Sequence, residues 1–263
     1  MGITQERGVT FLDVKAQPKK KTNCASCSGV SGGDTGALVR ETTPAGFSAI
    51  TAVWGPMPDF DPKTPGHPWI YYGFSNEGRK NLVDLEVGMA FQEGDPKAAD
   101  PLRRYHRWLP YLRSGAFYYA EQTEQVLPGA TFELSACLTP DGLVAMKDCK
   151  VITFVGPHPD GENRVTAFPL RLAAKDAHIR RVVGLATTEH YDGERLGTLG
   201  PMRFTNTVVC RAGKAYSFAS VATWKEVRPG SDGTPVIVGT ANVPKGGTMH
   251  LHTAGSDLIA LFP

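Results

Sequence analysis

Four segments decide the fold: residues 68–78 (PWIYYGFSNEG), 81–92 (NLVDLEVGMAFQ), 107–122 (RWLPYLRSGAFYYAEQ) and 127–142 (LPGATFELSACLTPDG). Each pairs a run rich in β-branched and aromatic residues with Gly, Pro, Asn or Asp turn chemistry. Runs recurring about every 8–12 residues mark an antiparallel sandwich or barrel. The same grammar extends outward. Upstream, residues 47–54 (FSAITAVW) form a strand between Gly46 and Gly55, followed by five prolines within residues 55–68. Proline donates no ladder hydrogen bond, so that stretch is a surface loop. Downstream, residues 144–157, 164–174, 180–189, 202–213, 214–227, 234–243 and 248–263 each hold strand-like runs. Helical spacing is confined to short pieces such as residues 170–180. With no βαβ alternation and no internal repeat, the class is mainly antiparallel β.

Residues 22–46 are dense in Gly, Ser and Thr and poor in large apolar side chains, so they build no core of their own. The chain therefore divides into an N-terminal arm, 1–46, and one sandwich domain, 47–263. The arm ends in a strand-like run at residues 37–41, which is expected to cover a sheet edge or join a second copy in a homo-oligomer.

A formal charge of +2, from 28 basic and 26 acidic residues, argues against a general polyanion binder. The one basic block, Lys19–Lys21, reads as a solvated arm, so no nucleic-acid partner is expected. No run of about 18 apolar residues is present, and no membrane span is expected. The first residues lack the basic-then-apolar layout of a secretory signal. Five cysteines leave the redox compartment open. A hairpin turning at residues 139–142 would set Cys149 opposite residue 132, so pairing it with Cys137 needs a bulge or longer loop.

Several of these segments, read in order, resemble the YrpD family of secreted bacterial proteins. They are IYYGFS (70–75), the Glu86–Phe91 strand, the Trp-x-Pro-Tyr of residues 108–111, LPGATFEL (127–134) with its Asp-Gly turn, GLAT (184–187) and FTNT (204–207). They span about residues 69–210. The resemblance implies a jelly-roll-like β-sandwich of the concanavalin-like lectin and glucanase type, a secreted location and a family without an assigned activity.

Three constellations carry candidate chemistry. Asp84 and Glu86 stand two apart on one strand, hence on one sheet face. Paired carboxylates on a sheet are how sandwich glycosidases place nucleophile and acid. The concanavalin-like pattern Glu-x-Asp-x-x-Glu is incomplete here, because Val83 and Gly88 occupy its ends. The aromatics Tyr71, Trp108, Tyr111 and Tyr119 are candidates for stacking on sugar rings, with core packing as the competing reading for Trp69 and Trp108. Alternation turns one tyrosine of each doublet, 71–72 and 118–119, outward. Finally, Cys24 and Cys27 with His250 and His252 form a candidate zinc set, although no compact zinc module has so long a spacing. Residues 29–33, Gly-Val-Ser-Gly-Gly, have the Gly-x-Ser-x-Gly spacing, but they follow no strand and open no helix, so neither a nucleophile elbow nor a nucleotide cofactor is implied.

The expectation is a non-enzymatic, jelly-roll-like sandwich that binds carbohydrate or a surface and needs no cofactor. The alternatives are a glycan-cleaving enzyme using Asp84 and Glu86, and a structural subunit assembled through its arm.

Overall fold

A computed structural model describes residues 5–6, 9–10, 37–61, 66–76, 84–114, 117–120, 125–139, 142–152, 155–157, 163–165, 172–187, 198–222, 224–228, 236–237, 248–254 and 257–260. Two antiparallel sheets pack face to face as a jelly-roll-like β-sandwich. Sheet I has nine strands. Its main path runs β12 (Lys150–Val151), β11 (Gly142–Lys147), β10 (Phe132–Thr139), β4 (Ala49–Trp54), β16 (Thr198–Arg211), β20 (Thr248–Ala254) and β21 (Asp257–Ala260). Two more strands, β5 (Phe60–Asp61) and β17 (Lys214–Ser217), also pair with β16. Sheet II has eight strands: β19 (Val236–Ile237), β18 (Trp224–Arg228), β3 (Ala37–Thr42), β15 (His178–Thr187), β6 (Gly66–Ser75), β7 (Asp84–Gln92), β8 (Arg107–Ser114) and β9 (Phe117–Ala120). Two short ribbons complete the described strands, β1 (Gln5–Glu6) with β2 (Val9–Thr10) and β13 (Val155–Pro157) with β14 (Asn163–Val165).

Alternation in the sequence becomes the two faces of each strand. In β10, Phe132, Leu134, Ala136 and Leu138 are buried while Glu133, Ser135, Cys137 and Thr139 are half-buried on the outer side. In β4 the inward set is Ile50, Ala52 and Trp54. From sheet II, Ile70, Tyr72, Phe74, Leu85, Val87, Met89 and Phe91 meet them in one core. The hairpin between β10 and β11 pairs Thr139 with Gly142 and Leu134 with Lys147, as the Asp-Gly turn predicts. Cys137 then faces Val144, and Cys137, Cys149 and Cys210 are free thiols.

Polar groups tie the layers together. Trp54 Nε1 of sheet I donates to Tyr72 OH of sheet II, and that hydroxyl donates to the Leu134 carbonyl at 3.3 Å. Burial pushes the Tyr72 phenol far above its usual range, so it stays neutral and keeps its proton for Leu134. Arg181 and Glu41 form a wholly buried ion pair directly across the β15–β3 ladder. Arg181 also donates to Thr207 Oγ1 at 3.1 Å and lies over the rings of Phe204 and Phe218. Thr207 reaches it because β16 bulges: the register with β4 shifts between Thr205 and Val208, and Asn206 has φ +55°.

The expected boundary at residue 46 is corrected by β3. Residues 37–42 lie inside sheet II, hydrogen-bonded to β15 on one side and β18 on the other, rather than along an edge. The reason is electrostatic as well as geometric, since Glu41 supplies the charge that Arg181 needs in the interior. Residues 11–36 lie outside the described residues. The helix-like spacing of residues 170–180 gives only a 3-10 turn, Ala174–Asp176, before β15 begins at His178.

Candidate functional site

The outer face of sheet II gathers the chemically distinctive residues. Opposed residues of an antiparallel ladder share a face, so the register arranges them in rows. One row is Arg40, Val182, Tyr71, Gly88 and Tyr111. On one side of it lies Arg180, Gly73, Glu86 and Arg113, and beyond that His178, Ser75 and Asp84. On the other side lies Gly184, Trp69, Ala90 and Leu109, and then Gln92 with Arg107.

Two glycines make this surface. A Cβ on Gly88 would come within 2.0 Å of the Ile70 carbonyl and 2.5 Å of Tyr71 Cβ, so Tyr71 and Tyr111 close over it with ring centroids 6.4 Å apart. A Cβ on Gly73 would meet Arg180 Nε at 2.9 Å, so the Arg180 guanidinium lies flat over that strand and reaches Asp84.

Both candidate carboxylates hold arginines. Asp84 pairs with Arg180. Glu86 accepts Arg113 Nη1 at 3.2 Å and the Tyr111 hydroxyl at 3.2 Å. The next position on this face along β7 is Gly88, which is covered by the tyrosines, so no third carboxylate follows on the strand. Asp84 and Glu86 are therefore on one face, as their spacing requires, but each is bound into a charge pair.

The aromatic candidates divide. Trp108 is fully buried between the sheets, where its Nε1 donates to the Pro58 carbonyl at 2.8 Å. It has no surface to offer a ligand, which corrects its place among the stacking residues. Its strand position gives the cause: Trp108 points inward and Leu109 outward. Tyr111 is on the outer face but fully buried, and Tyr71 is 8% exposed, because the two rings and Trp69 pack together over Gly88. Neither presents a ring plane. Tyr119 pairs with Leu112 in the β8–β9 ladder, and its side chain lies outside the described residues. Among the described aromatics of this face the partly exposed ring is Trp69, which composition alone favours as core. It is half-buried and held edge-on by Tyr111 at 4.9 Å, and its direct cross-strand neighbours are Gly184 and Ala90, too small to cover it.

Cys24 and Cys27 lie outside the described residues. His250 and His252 belong to β20, where the Thr198–His252 register places them in sheet I, and their side chains are not described. Among the described residues no group of three or more His, Cys, Asp or Glu is disposed to hold a metal ion. No helix among them is long and apolar enough to cross a membrane.

Sequence reasoning passed over Arg40, Arg107, Arg113 and Arg180. The signal was the Arg180-Arg181 doublet itself: in a strand, one arginine of such a pair faces the core and the other faces out.

No family model matches this chain, and no curated protein matches it. Among solved structures, scytalido-glutamic peptidase bound to a peptide-based transition-state analog is similar over 87% of this chain and 97% of its own, with 10% identity and a TM-score of 0.44. Rv0315 of Mycobacterium tuberculosis, an immunostimulatory antigen and pseudo β-1,3-glucanase, is similar over 57% of each chain, with 13% identity and a TM-score of 0.30. The κ-carrageenase of Pseudoalteromonas carrageenovora is similar over 57% of this chain and 67% of its own, with 9% identity and a TM-score of 0.26. At these values nothing about activity passes from them to this chain.

Proposed function

We propose that the protein is a carbohydrate-binding sandwich whose ligand lies on the outer face of sheet II and stacks on Trp69. The observation that carries this reading is the setting of that indole, a half-buried ring between two small neighbours, fixed edge-to-face by Tyr111. A pyranose presents an apolar C–H face to such a ring and needs polar partners for its hydroxyls. Arg40, Asp84 and Arg113 are partly exposed on the same face.

Binding is favoured over cleavage by the state of the carboxylates. Glycoside cleavage asks one carboxyl to give a proton and a second to attack or to activate water. Asp84 and Glu86 are instead each clasped by an arginine, and Glu86 by a tyrosine hydroxyl as well. A glycan array tests the reading. Retention of at least one oligosaccharide class is expected, with no release of reducing ends on long incubation. An array without signal above background would remove the glycan ligand. Hydrolysis that vanishes in Asp84→Asn or Glu86→Gln would replace the binding protein with an enzyme.

A further inference from the structure

At one end of the same face the chain leaves β7 and returns in β8 through a closed loop, residues 93–106. The loop is internally bonded: Asp95 N donates to Arg103 O, Ala98 N to Asp95 O, and Arg104 Nε to Ala98 O. Gly94 lets its two ends meet, since a Cβ there would sit 2.5 Å from the Arg104 carbonyl. Against the sheet this loop borders an open cavity of about 480 Å³, lined by Glu93, Asp95, Asp100, Arg103 and Arg107 with two alanines.

Arg107 is the unusual member. It lies on β8, on the outer face, opposite Gln92 and one row beyond Ala90 and Leu109. Its side chain is buried, 7% exposed, yet poorly partnered. Nη1 reaches three backbone carbonyls, those of Glu93, Arg103 and Tyr105, each at the long distance of 3.4 Å. Nε has no hydrogen-bond partner. A buried guanidinium so weakly hydrogen-bonded, at the wall of an open cavity, keeps an unused donor there. The planar fork of arginine fits a carboxylate better than any neutral group. The cavity wall sets Glu93, Asp95 and Asp100 against Arg103 and Arg107, so a carboxylate there is read by the fork of Arg107 and not by a basic field. Asp100 is itself drawn to Arg103 at 3.7 Å.

Strand spacing puts Arg107 roughly 12 Å from Trp69 across two ladders and one row. That separation spans a few sugar units of one oligosaccharide. We infer that the cavity behind residues 93–106 is a subsite for the carboxylate of a uronic acid, and that the glycan stacked on Trp69 is an acidic one. The inference rests on the binding reading above. It also accords with the near-neutral chain, because one buried guanidinium reads one carboxylate without a basic field.

The test uses the full chain, galacturonic-acid oligomers, their methyl esters and a neutral galactan oligomer of equal length. The free acid is expected to bind the unaltered protein roughly tenfold or more tightly than its methyl ester, which keeps the ring and removes the charge. Arg107→Gln should bring acid and ester to equal affinity. Should that variant fail to fold, the comparison of acid with ester on the unaltered protein still decides. Equal affinity for acid and ester, with both lost in Trp69→Ala, would overturn the carboxylate subsite and leave the glycan platform standing. No binding by acid, ester or neutral oligomer would overturn both. A sulfated galactan that binds where the galacturonate does not would overturn the uronate assignment in favour of a sulfate ester.

Discussion

The two faces of sheet II use the same ion-pair chemistry to opposite ends. Consecutive arginines in β15 make the contrast. Arg181 turns inward and meets Glu41 where neither side chain is exposed at all. Arg180 turns outward and meets Asp84, whose side chain keeps 34% exposure, and farther along the face Arg113 meets Glu86 with 43% exposure on the arginine. On the inner face the charges hold β3 in the sandwich and are sealed by Phe204, Phe218 and Thr207. On the outer face one member of each pair stays open to solvent. Burial, not residue type, separates the sealed pair from the two open ones.

The contrast breaks most sharply at Glu41. Removing it strands Arg181 in the core, and Glu41→Ala should lose about 3–5 kcal/mol in urea unfolding. Replacing both partners by Leu and Met should recover most of that loss, because an apolar pair of similar volume leaves no buried charge. Deleting residues 1–45 should be as damaging as the point change or worse, since it removes β3 entirely. Next in size is Tyr72→Phe. It leaves the Trp54 N–H and the Leu134 carbonyl without their shared partner and should lose about 1–3 kcal/mol in the same assay.

The outer face should respond weakly in stability and strongly in binding. Arg113→Gln is expected to change unfolding free energy by about 1 kcal/mol or less, as a half-open pair does. Thiol reactivity gives the smallest effect. Cys149 is exposed at the turn between β11 and β12, whereas burial, followed by the neighbouring Cys210, pushes the Cys137 thiol up. At mildly alkaline pH the half-buried Cys137 thiol reacts slowly, so the exposed Cys149 should be alkylated before it, as read by peptide mass spectrometry.

How far this was legible in the sequence follows from the same contrast. Period-two patterns in FELSACLT and FSAITAVW revealed strands and their inward sets, and the Asp141-Gly142 turn set the β10–β11 register. Those are local signals. The role of β3 was hidden, because ALVRET reads as a serviceable edge strand until Arg181 is known to lie opposite Glu41, 140 residues away. The setting of the aromatic rings was hidden for a similar reason. Exposure of Trp69 depends on Gly184 and Ala90, which the fold, not the local pattern, brings beside it. Arg107 gave no sequence signal at all, since its significance comes from three carbonyls that the 93–106 loop folds back onto it.

The measurement that reaches the central claim most directly is calorimetric titration of an array-selected oligosaccharide into the unaltered protein, Trp69→Ala and Trp108→Phe, each shown folded by its unfolding curve. The stacking account predicts that Trp69→Ala weakens binding by about 1–3 kcal/mol, by analogy with bases stacked on aromatic side chains, while Trp108→Phe binds as the unaltered protein does. Unchanged affinity in Trp69→Ala would contradict the assignment of the ligand to the outer face of sheet II.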